Sequence, residues 1–361
     1  MGTASGTVED MALDPSFWAG RRVLVTGHTG FKGSWLLLML EHLGADVSGF
    51  ALPPPAIPAM FDMIDGATRC DHVNGDIRDQ YVVAGAVAHA QPDIVFHLAA
   101  QPLVRVSYDA PVETYATNVM GTINLLDACR HSPTVKSIVV VTTDKCYEND
   151  GRTAGYPEHA RLGGFDPYSN SKACAELATA SYRDSFLRDA GVGVATARAG
   201  NVIGGGDYAD DRLVPDAIRA LMANEAVAIR NPNAIRPWQH VMEPLCGYLM
   251  LAERLHRDSQ RFAKGWNFGP APSDMAPVHD VLTRLAVHWG GTNGVAAQPG
   301  QHPHEAATLT LDSTLAMREL DWEPQLTLDG ALKLTADWYG AAANGDDLAA
   351  ISKHQINQFL S

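Results

Sequence analysis

The stretch Arg22-Val23-Leu24-Val25-Thr26-Gly27-His28-Thr29-Gly30-Phe31-Lys32-Gly33 decides the fold. Its first five residues, β-branched and apolar after one arginine, read as a buried parallel strand that stops at a glycine. Three glycines follow in G-x-x-G-x-x-G spacing, and Ser34 to Leu43 then reads as a helix. A glycine loop between a strand and a helix N-terminus is a cradle for a dinucleotide pyrophosphate. Gly27 can make the tight turn, Gly30 lets the phosphates approach the backbone, and Gly33 allows close helix-to-strand packing.

Working outward, Asp46 to Phe50, Asp93 to His97, Ser137 to Thr142 and Gly193 to Ala197 repeat the strand signature with helix-length segments between them. Strand and helix alternating at this spacing predict α/β architecture, a doubly wound parallel Rossmann sheet with a smaller α/β lobe that binds substrate. Residues 1–16, with Glu9, Asp10 and Asp14, are expected to be a disordered leader, and 17–200 the dinucleotide-binding domain. Beyond Asn201, Gly204-Gly205-Gly206, Asn231-Pro232-Asn233 and Arg236-Pro237 break the pattern into short elements. The second lobe is therefore expected to span 201–240 and 269–361, with a return to the first sheet near 241–268.

Composition narrows the partners. Hydrophobic residues make up 46% of the 361 and charged ones 19%, enough apolar side chain for a large core and too little charge for a disordered chain. A formal charge of −14 argues against holding nucleic acid by bulk electrostatics. No run of 18 apolar residues occurs, so no membrane span is expected. The 5 cysteines are scattered without a C-x-x-C pair, which fits a reducing cytoplasm better than a disulfide framework or a zinc site.

Which dinucleotide is bound stays open on these residues. An NAD site ordinarily supplies an acid about 20 residues after the loop, yet the second strand ends Gly49-Phe50-Ala51-Leu52-Pro53. Lys32 is either a ligand for the 2′-phosphate of NADP or a solvated lysine. Gly75-Asp76-Ile77-Arg78 offers an acceptor for adenine, or else Asp76 caps the helix after it.

Tyr168-Ser169-Asn170-Ser171-Lys172 sets a phenol and an ammonium four residues apart, one turn along a helix face. A cation there stabilises phenolate and makes a usable base for an alcohol. Thr143, after the strand ending at Thr142, can hydrogen-bond the same substrate oxygen.

These pieces, with Gly75-Asp76, His97-Leu98-Ala99-Ala100, Asn118 to Thr122 and Arg198 with Asn201-Val202, resemble the extended short-chain dehydrogenase/reductase family over nearly the whole chain. Within it, Thr143-Asp144-Lys145-Cys146-Tyr147, Gly200 to Asp207, Arg236-Pro237-Trp238-Gln239-His240-Val241, His302-Pro303-His304-Glu305 and the run from Phe17-Trp18 to Trp35 are similar to the nucleotide-sugar 4,6-dehydratases that act on CDP-glucose. The resemblance implies NAD, with NADP still open, held by Gly27, Thr29, Gly30, Phe31, Lys32, Gly33, Asp76, Ile77, Leu98, Ala99, Ala100, Asn118, Thr142, Tyr168, Lys172 and Arg198. It implies oxidation at sugar C4 with Tyr168 taking the hydroxyl proton, loss of water across C5 and C6, and reduction at C6. Relatives acting on dTDP sugars carry Asp-Glu after the threonine, where this chain has Asp144-Lys145. Asp144 is expected to be the acid for the departing hydroxyl. Lys145 either serves as base with a depressed pKa or stabilises the enolate by charge, the second being favoured.

For the substrate, Arg212, Arg230 and Arg236 are candidates to clamp a pyrophosphate: each alone reads more readily as a surface arginine, but together, beside Asn201 and His240, they favour a ligand. Asn201, Leu213, His240, Gln101 and Arg105 complete the expected contacts. His304, with His302, is placed at the sugar pocket's rim, because two histidines without further ligands make a poor metal site. The nucleobase is not readable. A 4-epimerase would need Tyr168 and Lys172 without the Asp144 and Lys145 pair, and a 4,6-dehydratase for another nucleotide sugar is a close alternative. A dinucleotide-sensing protein without turnover would have no use for the tyrosine and lysine. The family also implies a homodimer through helices near Val112 to Arg130 and Pro167 to Arg188.

Overall fold

A computed structural model describes residues 13–54, 58–229, 231–291, 295–297 and 309–361. Strands β1 (Arg22–Thr26), β2 (Asp46–Ala51), β3 (Asp71–Asn74), β4 (Ile94–His97), β5 (Ser137–Val141) and β6 (Gly193–Ala199) join the strand Gly265–Phe268 in one sheet. The order is 265–268, β6, β5, β4, β1, β2, β3, and all pairings are parallel. The chain thus winds one way from β1 through β2 to β3, then crosses back to β4, leaving a crevice at the carboxyl ends of β1 and β4.

Alternation along each strand fills two cores. Val23, Val25, Phe96, Val139 and Val141 face one layer with the helices Phe31–His42 and Met242–Arg257. Leu24, Val95, Ile138, Val140 and Val194 face the other with Val83 and Val87 of the helix Gln80–Ala90 and Leu125 and Leu126 of the helix Gly121–Arg130. Side chains that alternate between two buried layers explain why these strands read as continuous apolar runs.

The helix Phe31–His42 is buried on every side from Gly33 to Leu40, and Trp35 through Leu40 are fully buried. One side packs on the sheet. The helix Leu348–Leu360 packs on it from the chain's far end, where Lys353 Nζ meets Glu41 Oε1 at 2.9 Å, and Trp35 Nε1 donates to the Gly205 carbonyl at 2.9 Å. A helix buried on every side belongs to a core made by both halves of the chain.

The expectation of a disordered segment through residue 16 is corrected from Leu13 onward. Leu13 is buried, and Asp14 caps the helix Pro15–Trp18 by accepting from Ser16 N at 2.9 Å while pairing with Arg257 at 2.8 Å. Trp18 anchors this turn in the core. Residues 1–12 lie outside the described residues. Among the described residues no helix is long and apolar enough to cross a membrane.

Candidate active site

A cleft of about 1890 Å³ runs from the glycine loop, over the ends of β1, β4 and β5, to the segment 200–236. The loop is shaped by backbone. Gly27 sits at φ +77°, and a Cβ there would fall 2.6 Å from Ala99 N; one on Gly33 would fall 2.2 Å from the Gly27 carbonyl. A Cβ on Gly30 would meet only the Gly27 carbonyl, at 3.4 Å, an ordinary contact, so this position is not crowded as Gly27 and Gly33 are. Thr29 Oγ1 ties the loop to β2 through the Leu52 carbonyl at 3.0 Å.

Gly27, Thr29, Gly30, Phe31, Lys32, Gly33, Asp76, Ile77, Leu98, Ala99, Ala100 and Thr142 all line the cleft, with Thr143, Asp144, Lys145, Tyr168 and Lys172 further along it. Asp76 does not cap the next helix. Asp79 does, accepting from Tyr81 N at 3.0 Å, and Asp76 is held by Arg78 at 2.6 Å, whose hydrogen bonds keep its carboxyl below the usual range. Lys32 is turned away from this adenine end: its Nζ lies 5.9 Å from the Tyr248 ring centroid, and Arg212, Lys172, Asp144 and Lys145 are the charges acting on it.

Two expected cofactor ligands are corrected. Asn118 is buried, with its Oδ1 accepting from Gln101 N at 2.8 Å and its Nδ2 donating to Ser171 Oγ at 2.9 Å, so it fixes the loop after β4. Arg198 pairs behind the cleft with Glu176, at 2.6 and 2.8 Å, and donates to the Tyr147 hydroxyl at 2.6 Å. Glu176 went unread. Its signal was present, because it stands one further turn along the Tyr168 and Lys172 face.

The catalytic helix starts where chemistry dictates. Asp166 caps it, accepting from Ser169 N at 2.9 Å, and Pro167 at the first helical position has no N–H to lose. Tyr168 is thereby fixed in the first turn, and Lys172 one turn on donates from Nζ to the Val141 carbonyl at 3.0 Å. Opposite, Thr143 caps a single 3₁₀ turn, Asp144–Cys146. Thr143 Oγ1 donates to Asp144 Oδ1 at 2.9 Å, and Lys145 Nζ reaches the same oxygen at 3.2 Å.

Burial raises the Tyr168 phenol above its ordinary value, against the Lys145 charge and a Thr143 hydrogen bond that lower it. Lys145 is thus the first cation acting on the phenol, where the spacing suggested Lys172. Burial pushes the Lys172 ammonium down to about 8, against the Glu176 carboxylate and Cys146, which hold it up. For Lys145, burial lowers the pKa but Asp144 and Tyr168 outweigh it, leaving the group above its usual value and charged.

At the substrate end, Asn201, Arg212, Leu213 and Arg236 line the cleft together. Arg212 is braced by Asp207 at 2.8 Å, and Arg105 pairs with Asp211 at 2.9 Å across the rim. Gln101 lines the cleft, but its amide is used on its own loop, donating to Leu103 O and Thr114 Oγ1 at 3.0 Å. His240 is corrected: it is fully buried against Trp35, off the cleft, and burial pushes it down to about 3. Arg230, His302 and His304 lie outside the described residues. Among the described residues no cluster of His, Cys, Asp or Glu could hold a metal.

Comparison with known proteins identifies the lineage. The sequence profile of the GDP-mannose 4,6 dehydratase family matches residues 24–335. The chain belongs to that family. Within this dehydratase family, a CDP-glucose 4,6-dehydratase of Salmonella typhimurium is 46% identical over 354 residues, covering 97% of this chain and 99% of the relative. MoeE5, solved in complex with UDP-glucuronic acid and NAD, is 25% identical with a TM-score of 0.75, covering 89% of this chain and 99% of that one. The dTDP-glucose 4,6-dehydratase DesIV of Streptomyces venezuelae, solved with NAD and TYD, shares the fold at a TM-score of 0.77 and 24% identity, over 90% of this chain and 98% of its own.

Proposed function

We propose that the protein is a nucleotide-sugar 4,6-dehydratase that converts CDP-glucose to its 4-keto-6-deoxy product with bound NAD. The observation that carries this reading is the facing of Thr143, Asp144 and Lys145 against Tyr168 and Lys172, in one cleft between a glycine cradle and the Arg212 and Arg236 pair. The relative from Salmonella typhimurium supports the choice of substrate.

The cradle fits a dinucleotide, since Gly27 and Gly33 have no room for a Cβ and the loop opens the N-terminus of the helix Phe31–His42 onto the cleft. Bound there, NAD supplies a reversible hydride acceptor. The chain does the rest. Tyr168 takes the proton of the sugar 4-hydroxyl, Thr143 Oγ1 orients that oxygen, and Lys172 and Lys145 stabilise the phenolate. The 4-ketone so formed acidifies the C5 hydrogen. Lys145, held charged by Asp144 and Tyr168, cannot accept that proton in this state, so its role is to stabilise the enolate by charge. Asp144, buried and ionised in its pair with Lys145, takes the C5 proton and passes it to the departing 6-hydroxyl, which leaves as water; when the hydride returns to C6, C5 regains a proton from solvent. Asn201, Arg212 and Arg236 hold the diphosphate.

Residues 17–200 with 241–268 make the dinucleotide unit in this reading, and 201–240 with 269–361 the sugar-nucleotide lobe. The protein works as a homodimer through the helices from Val112 to Arg130 and Pro167 to Arg188, which leave Val112, Met120, Leu177 and Phe186 exposed. Its free cysteines suit the cytoplasm.

The test is mass spectrometry of the protein with CDP-glucose and NAD in deuterated water. Loss of one water with one deuterium gained at C5 is expected. A product of unchanged mass would replace this reading with a 4-epimerase.

A further inference from the structure

Lys32 is the one side chain of the glycine loop that carries charge, and it belongs to the catalytic end of the cleft. It sits in the first turn of the helix Phe31–His42. Its amine stands over Tyr248, a ring contributed by the helix Met242–Arg257, whose buried hydroxyl has no partner among the described residues. The charged groups acting on it come from three other elements: Asp144 and Lys145 after β5, Lys172 on the catalytic helix, and Arg212 before the helix Leu213–Met222.

Two of these cations are already balanced. Arg212 is paired with Asp207 at 2.8 Å and Lys145 with Asp144 at 3.2 Å. Lys172 donates to a neutral carbonyl, Val141 O, and the Glu176 carboxylate that acts on it is already paired with Arg198 at 2.6 Å. Lys32 and Lys172 therefore leave an excess of positive charge between the phosphate cradle and Tyr168, inside a protein whose formal charge is −14. An oxidised nicotinamide ring carries a positive charge, and the reduced ring is neutral. Fixed cations beside that ring disfavour the oxidised form in proportion to their charge and proximity.

We propose that Lys32 sets the balance between oxidised and reduced nicotinamide at this site, favouring the reduced form so that the hydride stays with the dinucleotide while the 4-keto sugar loses water. The inference rests on the cofactor reading above. No bond is made to Lys32: two electrons leave sugar C4 and return at C6, and the lysine acts only through its charge. Its ionisation makes the effect visible. Burial first, then Arg212 and Lys172, push the Lys32 ammonium down to about 7, with Asp144 pulling the other way. Below that pH the group is charged and repels the oxidised ring; above it the repulsion fades.

The experiment titrates NAD⁺ and NADH separately onto the full-length protein from pH 6 to pH 9, by calorimetry or by energy transfer from tryptophan to NADH. The ratio of the two dissociation constants cancels the attraction of the pyrophosphate, which both forms share. In the unsubstituted protein the ratio Kd(NAD⁺)/Kd(NADH) is expected to fall as pH rises through about 7. Lys32→Met is expected to lower the ratio at pH 6 by about tenfold and to abolish that slope, while keeping the separate slope of Lys172 near 8. Lys32→Arg keeps the high ratio and loses the slope near 7, a result that serves even if the methionine variant folds poorly. A ratio unchanged in Lys32→Met overturns the proposal. So does an equal weakening of both forms, which would mark a phosphate ligand. Binding of neither dinucleotide to the unsubstituted protein would overturn the cofactor reading itself.

Discussion

Two polar regions lie back to back at the carboxyl ends of β5 and β6, and they differ in how far their hydrogen bonds are used. Behind, the Glu176 carboxylate takes bonds from Thr142, Thr196 and two Arg198 nitrogens, at 2.5 to 2.8 Å. Arg198 continues to Tyr147 and the Glu158 carbonyl, and Tyr147 to Asn267 at 2.8 Å. In front, Lys172 makes one hydrogen bond, and Asp144 accepts from Thr143 and Lys145. A saturated lattice of buried charge holds geometry, whereas an under-used set of donors is equipped to meet a ligand. Both regions are charged; saturation separates scaffold from machinery.

The sharpest attempt to break this contrast is Tyr168→Phe. Turnover of CDP-glucose is expected to fall by about 10² to 10⁴-fold with unfolding unchanged, and a variant retaining most of its rate would remove the phenol from the reaction. On the other side, Glu176→Ala leaves Arg198 buried without its partner. A loss of about 3–5 kcal/mol in denaturant unfolding is expected; an unaltered midpoint would mean the lattice is not structural. A third variant tests charge in front. Lys145→Met should slow C5 hydrogen exchange into solvent by about 10² to 10³-fold, and exchange at full rate would exclude Lys145 from the elimination.

The smallest effect is the pH dependence of Lys172. Its folded value of about 8 lies below the ordinary 10.5, so between these values the unfolded chain binds the extra proton. Stability from this group must then rise with pH from about 8 to 10.5, because the cost of burying its charge is relieved. Comparing denaturant midpoints at pH 8 and 9.5 for the protein and Lys172→Met checks the sign: the methionine variant should lose that rise.

Much of the front region was legible because backbone and helical spacing carry it. The glycine loop, the Tyr168 and Lys172 pair and the Thr143 to Lys145 run all stand where their patterns put them. Strand β3, Asp71-His72-Val73-Asn74, was not legible: an edge strand with one aliphatic residue lacks the apolar run that marked its neighbours. Arg198 misled for a related reason. Every residue of β6 is buried, so no alternation reveals which side chains face the cleft. Asn118 lies in a π-helical turn, Ala116–Met120, whose rotation no sequence period announces. Lys32 was readable as either a 2′-phosphate ligand or a solvated lysine, because nothing in the loop announces that its amine stands over Tyr248, more than 200 positions later.

The helix Phe31–His42, wrapped by apolar contacts from both ends of the chain, bears on how this protein can be re-engineered. Because Leu348–Leu360 packs on the helix that opens the phosphate cradle, a fragment ending near residue 200 or 270 would leave Trp35 through Leu40 facing water along that side. Such a fragment would aggregate rather than serve as a nucleotide-binding module. Chimeras that exchange sugar specificity between relatives should therefore graft 200–236 as an internal cassette and leave the native C-terminal helix in place.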